Sequence, residues 1–144
     1  MSVAERTLDE ITGEIVDAAY QLHTGLGPGL PEQVYEVVLA RDIERRGLRA
    51  ARQEPITFTD DGLEFQNCLR IDLLVESRVV IEIKSVERVR PIHSAQILTY
   101  LRLMHLQVGL LINFAASTLK EGLKRFVNQF PCSASPRLRV NKLP

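Results

Sequence analysis

Cysteine is scarce in this sequence, since Cys68 and Cys132 are the only two among its 144 residues. Two cysteines are too few for a disulfide framework, and the sequence has neither a Cys-x-x-Cys pair nor a His/Cys cluster that would indicate zinc. We therefore expect both cysteines to be reduced thiols.

An excess of charge of either sign is also lacking, because 18 basic residues balance 18 acidic ones. A zero net charge argues against a protein that coats nucleic acid by bulk charge, but it is compatible with a local basic rim. A charge cluster is usually a solvated face, so each basic cluster is a weak indication on its own. There are three: Arg41, Arg45, Arg46, Arg49 and Arg52; Arg88 and Arg90; and Arg137, Arg139 and Lys142.

Long apolar runs are absent as well, and none approaches the roughly 20 residues that a membrane helix needs. The first ten residues lack the basic and then apolar layout of a signal peptide. We therefore expect a cytoplasmic protein without membrane association. The length suits one compact domain, predicted over residues 1–130, followed by a polar, proline-containing tail over 131–144.

Apolar periodicity and helix-breaking residues predict four helices. The second begins at Pro31, a residue suited to a first helical turn, after the glycine-rich segment 25–30. Thr118 is the expected N-cap of the last helix, with Glu121 three residues on. The predicted ranges are 7–22, 31 to about 47, 91–105 and 118–130.

Strand patterns occupy the middle of the chain. Asp60-Asp61-Gly62 is a strong hairpin signal, and a second hairpin turns across Glu76-Ser77. The order of elements predicts an α/β fold with a mixed sheet of four to five strands flanked by helices. Its strand-helix-strand unit over 79–112 should be a right-handed crossover. The predicted strands are 56–59, 63–65, 69–75, 78–84 and 108–112.

The second hairpin brings two carboxylates and a lysine together. If its turn centres on Ser77, residues whose numbers sum to 154 oppose each other, so Asp72 faces Glu82. Lys84 lies two residues beyond Glu82 and shares its face. Two facing carboxylates on apolar strands need a proton or a cation between them, and Mg²⁺ (or Mn²⁺) suits oxygen ligands. The alternative is a structural ion pair of Lys84 with either acid.

The spacing Asp72…Glu82-Ile83-Lys84 resembles the signature of the PD-(D/E)XK nuclease superfamily. The restriction-endonuclease-like core of that superfamily is helix, three strands, helix, strand, and the predicted order here is similar. Residues 29–35, GLPEQVY, resemble the name motif of the GxxExxY protein family within the superfamily. The resemblance covers roughly residues 11–130 and implies an exonuclease-like, RecB-like branch. Further similar segments are 70–75, 91–96 with Tyr100, and 109–114.

The resemblance implies a third carboxylate, Glu32, from the second helix. Asp72, Glu82 and Glu32 would then hold the metal, with the Ile83 carbonyl as an added ligand, and Lys84 would position the nucleophilic water. A negative charge in the first turn is also favoured by the helix dipole, by about 0.3–1 kcal/mol. Glu32 as a mere first-turn acid is therefore the alternative.

The helix that follows carries Gln96 and Tyr100 on one face. The resemblance implies that this pair helps to hold the site and the substrate, while plain packing is the alternative for Tyr100. His93, three residues before Gln96, is either a phosphate contact or a first-turn residue.

Two residues of the first half of the chain have two interpretations each. His23, nine residues before Glu32, would be a further metal ligand by resemblance, whereas a histidine at a helix end is more often a cap or a packed residue. Tyr35 lies one turn after Glu32 and either orients it or belongs to the core.

Two hypotheses of different classes follow. The first is a Mg²⁺-dependent hydrolase that cuts phosphodiester bonds of nucleic acid, with DNA as the expected substrate; related nucleases often dimerise, so a homodimer is also open. The second is a non-catalytic nucleic-acid-binding or protein-interaction module that retains the nuclease fold. A phosphate ester other than nucleic acid is a third substrate class that nothing in the sequence selects.

Overall fold

The computed structural model of the chain describes residues 5–129. It contains a mixed five-stranded sheet with helices on its faces, which confirms the predicted fold class. Each helix within residues 5–129 is too short or too polar to span a lipid bilayer. The elements are α1 (Leu8–Leu26), α2 (Glu32–Arg45), β1 (Ala50–Asp60), β2 (Leu63–Val75), β3 (Val79–Lys84), α3 (Pro91–Met104), β4 (Val108–Asn113), α4 (Leu119–Gly122) and β5 (Leu123–Val127).

The helix α1 begins and ends at residues that suit a helix boundary. The Thr7 hydroxyl accepts a hydrogen bond from the Glu10 N–H at 3.1 Å, as an N-cap does. Gly27 ends the helix with φ 72°, a conformation that glycine adopts without strain. The helix is therefore one turn longer than predicted, because Gly25 is tolerated inside it and Gly27 ends it.

The sheet has the order β1-β2-β3-β4-β5, and only the β3–β4 pair is parallel. The helix α3 connects these two parallel strands, so the predicted strand-helix-strand unit is present. The two hairpins are also present, and β2 is one long strand where two short ones were predicted. In the second hairpin Leu73 pairs with Ile81 and Val75 with Val79, which confirms the predicted register.

The prediction of a helix over residues 118–130 is wrong beyond its first turn. Thr118 does cap α4 and bonds Glu121, but the helix ends at Gly122, where a Cβ would collide with the Asn113 carbonyl. The chain continues as the edge strand β5, which is antiparallel to β4. Backbone pairing with β4 thus overrides the helical pattern. Residue 130 and the predicted tail lie outside the described residues.

Two apolar clusters fill the two faces of the sheet. Side chains of α1 and α2 pack on one face, against Leu73, Ile81 and Ile112 among others. Side chains of α3 pack on the other face, against Val80 and Leu111 among others. The sheet is therefore covered on both sides, as its apolar central strands require.

We expect substitution of Gly109 by alanine to destabilise the fold by about 1–3 kcal/mol, because overpacking displaces neighbours. A Cβ on Gly109 in β4 would lie 2.8 Å from the Ile97 Cγ2 of α3. Gly13 is the matched control, since it is exposed on α1 with no atom near its Cβ position, and Gly13→Ala should stabilise by roughly 0.5–1 kcal/mol. Urea denaturation measures both, and equal stability of Gly109→Ala and wild type would contradict this packing.

Candidate active site

Asp72 and Glu82 meet where the β2–β3 ladder ends. The last paired residues are Leu73 and Ile81, and the two acids lie just beyond them. The Asp72 carboxylate accepts from the Ile83 N–H at 2.8 Å, and the Glu82 carboxylate accepts from the Asp72 N–H at 3.3 Å. Two backbone N–H groups beyond the last pair of the ladder are thus bonded by side chains and not by backbone carbonyls. These hydrogen bonds hold the two carboxylates next to each other.

Glu82 is the most perturbed acid of the site. Its side chain is buried, with 6% exposure. Burial and the adjacent Asp72 charge raise the pKa of Glu82 to about 8, although the Asp72 N–H and the Lys84 charge oppose this rise. At neutral pH the carboxyl group thus holds a proton, unless a cation takes the proton's place.

Lys84 is the last residue of β3 and is half-buried. Between residues 5 and 129 no carboxylate lies within ion-pair distance of its ammonium group. Its charge nevertheless acts on both Glu82 and His93. The structural ion pair considered as the alternative is therefore not formed, and the ammonium group is available to a ligand.

The Glu32 side chain is joined to the residue that follows β3 by a hydrogen bond from a backbone N–H. It is the first residue of α2, and its carboxylate accepts from the Ser85 N–H at 3.2 Å. The Ser85 hydroxyl donates to the Leu30 carbonyl at 2.7 Å, so the loop before α2 is held as well. Glu32 and Asp72 line one polar cavity of about 370 Å³. The third predicted acid is thus placed next to the hairpin.

Tyr35 organises the loop before Glu32. Its side chain is buried and stacks on Phe114 with ring centroids 4.5 Å apart. The hydroxyl donates to the Gly27 carbonyl at 2.6 Å and accepts from the Leu30 N–H at 3.1 Å. Tyr35 is therefore both a core residue and a support of the loop that leads to Glu32.

The helix α3 presents Tyr100 to the acids. Tyr100 is buried, and burial together with the Glu82 and Asp72 charges raises its pKa. Gln96, one turn earlier, is exposed and forms no hydrogen bond with a residue of the described range. The charges of both carboxylates therefore act on Tyr100, and the predicted roles of Tyr100 and Gln96 stay predictions.

His93 lies near Lys84 and Glu32. Its Nδ1 accepts from the Arg90 N–H at 3.2 Å, which leaves Nε2 as the protonated nitrogen of the neutral ring. Burial lowers the pKa of His93, the Lys84 and Arg90 charges lower it further, and Glu32 opposes them. The residue is both a first-turn cap and a hydrogen-bond donor beside the site.

His23 is packed at the C-terminal end of α1. It is 9% exposed in the last turn of α1, its Nε2 is 2.9 Å from the Ala116 carbonyl, and its ring stacks near Phe114. Because a carbonyl only accepts, this hydrogen bond places a proton on Nε2. His23 is therefore a packed residue at a helix end, and its role as a metal ligand stays a prediction.

Glu36, Arg52 and Gln53 line the cavity as well, and the sequence did not predict them as site residues. Glu36 is buried at 6% exposure and receives hydrogen bonds from Arg52 at 3.0 Å and from Gln53 at 2.6 Å. The four-residue spacing of Glu36 from Glu32 places both on one helix face and could have indicated it. Nothing in the local sequence indicates that Arg52 and Gln53 lie beside Asp72.

The chemistry of the site fits a hard divalent cation. The donor set is carboxylate oxygen, and the buried Asp72–Glu82 pair needs either a proton or a cation. Over residues 5–129 no group of three His, Cys, Asp or Glu side chains is arranged to hold a metal ion. The acids accept hydrogen bonds from backbone N–H groups of β2, β3 and Ser85, and these bonds hold their side chains in place. The Ile83 carbonyl stays a predicted ligand.

The chain was compared with known proteins. A family model described as the PD-(D/E)XK nuclease superfamily matches residues 9–126, which include all the acids named above and Lys84. The comparisons with curated proteins and with solved structures gave no significant match.

Proposed function

This chain belongs to the PD-(D/E)XK nuclease superfamily, and from that premise we propose that it is a Mg²⁺- or Mn²⁺-dependent nuclease that hydrolyses phosphodiester bonds of DNA. One observation carries the proposal: the buried Glu82 carboxyl lies against Asp72, beside a lysine that has no ion-pair partner in the described range. A site that served only stability would pair such charges.

Each residue has a distinct task in this proposal. Asp72, Glu82 and Glu32 would hold the metal, which when bound would stabilise charge on the scissile phosphate and the leaving oxygen. Lys84 would hold the attacking water by a hydrogen bond from its ammonium group. As water attacks phosphorus, the bond from phosphorus to the leaving oxygen breaks, and a proton passes from the water to the products.

Basic and neutral donors next to the site would hold the nucleic-acid backbone. Arg88 and Arg90 are exposed in the segment between β3 and α3, and His93 offers its Nε2 proton there. Such contacts fix the position of a substrate without reading its sequence. A local basic rim therefore reconciles DNA binding with the zero net charge of the chain.

We further assign the chain to the GxxExxY family and to the exonuclease-like, RecB-like branch. The geometry supports the motif, because Gly29 has φ 103°, Glu32 bonds the end of β3 and Tyr35 supports the loop between them. Gln96 remains a candidate for substrate contact on the exposed side of α3. A homodimer and a cytoplasmic location stay predictions.

The proposal is tested by incubating the purified protein with single-stranded, duplex and branched DNA, and with RNA, in Mg²⁺ and in Mn²⁺. We expect cleavage of DNA that Asp72→Asn lowers by at least about 10²–10³-fold, because the variant loses a charged ligand. Asp9→Asn is the control, since Asp9 is exposed on α1 away from the site.

Two results would count against the proposal. Metal-dependent cleavage that Asp72→Asn leaves unchanged would show that another site or a contaminant cuts. Absence of cleavage, together with no Mg²⁺ binding that depends on Asp72 and Glu82, would favour the non-catalytic module.

A further inference from the structure

Gln53 has an unusual backbone conformation beside the site. Its φ is 52°, in the left-handed region, although it lies inside β1. The flanking pairs are Arg52 with Leu73 and Glu54 with Ile71, so Gln53 stands opposite Asp72. Residues other than glycine, asparagine and aspartate seldom adopt this conformation, and such strain persists only where the surroundings hold it.

The side chain of Gln53 joins two acids. Its amide nitrogen is 2.6 Å from Glu36 Oε1 and 3.4 Å from Asp72 Oδ1. Glu36 is itself anchored, because the Arg52 guanidinium approaches its other oxygen at 3.0 Å through both Nε and Nη2. The amide is therefore oriented by an ion pair in which the acid, Glu36, is buried and the arginine is exposed.

The two oxygens of Asp72 are thus held from opposite sides. Oδ2 accepts from the Ile83 N–H of β3, and Oδ1 faces the Gln53 amide of β1. We propose that Gln53 is a positioning residue, which fixes the Asp72 carboxylate in the orientation that metal binding requires. This inference rests on the proposed metal-dependent function. Groups that hold a ligand in this way commonly change metal affinity or activity 10- to 100-fold when they are replaced.

A purely structural role is the competing explanation. Leu73 and Val75 belong to the apolar cluster on the α1/α2 side of the sheet. Ile71 belongs to the cluster on the α3 side, although alternate residues of a regular strand point to the same side. The side of the sheet to which the odd-numbered residues of β2 point therefore changes at Asp72, opposite Gln53. A left-handed residue that only bends the hairpin would produce the same change, and glycine would serve that purpose at least as well.

The two explanations differ in what Gln53→Gly does. Glycine keeps the bend and removes the amide. The matched control is Asn67→Gly, since Asn67 is an exposed residue of β2 with φ 60°. Gln53→Asn is the conservative variant, because asparagine tolerates this backbone and keeps a shorter amide. The readouts are the Kd for Mg²⁺ by calorimetry, kcat and KM for DNA cleavage, and the metal-free Tm.

We expect Gln53→Gly to raise the Kd for Mg²⁺ about tenfold or more and to lower kcat with little change in KM. Its metal-free Tm should stay within about 5 °C of wild type, because relief of strain offsets the lost hydrogen bonds. Gln53→Asn should recover part of the affinity, and Asn67→Gly should change neither affinity nor kcat. If Gln53→Gly fails to fold, the Kd for Mg²⁺ and the kcat of Gln53→Asn are compared with those of wild type instead. A higher Kd and a lower kcat in Gln53→Asn would support the positioning role.

The contrary outcomes are distinct. Wild-type affinity and kcat in the folded Gln53 variants would show that the residue only bends the hairpin, and the proposed function would stand. A wild-type protein that neither binds Mg²⁺ nor cleaves DNA would overturn the proposed function, and the positioning role with it.

Discussion

Replacement of Lys84 by alanine is expected to lower the rate of DNA cleavage about 10²–10³-fold, the usual effect of removing one donor that stabilises the reacting groups. Stability should hardly change, because the half-buried ammonium group forms no ion pair with the described residues. The large effect on rate and the small effect on folding together separate a catalytic lysine from a structural one. Rates with saturating Mg²⁺ and denaturation curves measure the two quantities.

Lys120→Ala is the matched control, since Lys120 is exposed on α4. Lys84→Arg adds a second comparison, because guanidinium keeps the charge but not the compact geometry of an ammonium group. We expect partial activity at most from Lys84→Arg. Equal cleavage by purified wild type and Lys84→Ala would refute the assignment of Lys84.

Replacement of Glu82 by glutamine is expected to stabilise the metal-free protein in alkaline solution. Because the pKa of Glu82 is raised from 4.5 to about 8, the folded state binds more protons than the unfolded state between these values. The contribution of Glu82 to stability is therefore full below about pH 4.5 and is lost as pH rises through 8. Glutamine has no proton to lose, so Glu82→Gln should exceed wild type by up to about 3–5 kcal/mol at pH 9.

The measurement is urea denaturation in EDTA from pH 4 to pH 9. At pH 4 the two proteins should be nearly equal, since glutamine resembles the protonated acid. Glu44→Gln, at an exposed position of α2, should show no such dependence. A constant difference between wild type and Glu82→Gln across this range would mean that Glu82 does not carry the extra proton.

Metal binding should strengthen as pH rises, whereas the stability of the metal-free wild type should fall. A cation must displace the Glu82 proton, so the Kd for Mg²⁺ should fall as pH rises towards 8, by at most about tenfold per pH unit for one proton. Calorimetry in buffers of different ionisation enthalpy would count the proton released. Glu82→Gln should lose both the binding and its pH dependence.

The sequence predicted the centre of the site better than its surroundings. The cross-strand relation of Asp72 and Glu82 followed from the two-residue period of strands and from the position of the turn, and both are local properties. Glu32 was predicted as a third acid only because a motif resemblance supplied it. Gln53 was missed because neither its left-handed backbone nor its neighbours in space appear in a local pattern. The strand β5 was missed because pairing with β4 decides its conformation, and that partner is distant in sequence.

The hydrogen bonds that Asp72 and Glu82 accept from backbone N–H groups limit which residues can replace these acids in evolution. Alanine at position 72 would leave the Ile83 N–H without its acceptor at a buried strand, at a cost of about 1–3 kcal/mol. Asparagine or glutamine would keep an acceptor and remove only the charge. A homologue that has lost catalysis should therefore carry amides more often than small apolar residues at positions 72 and 82. The arrangement of the site should then persist in such inactive homologues.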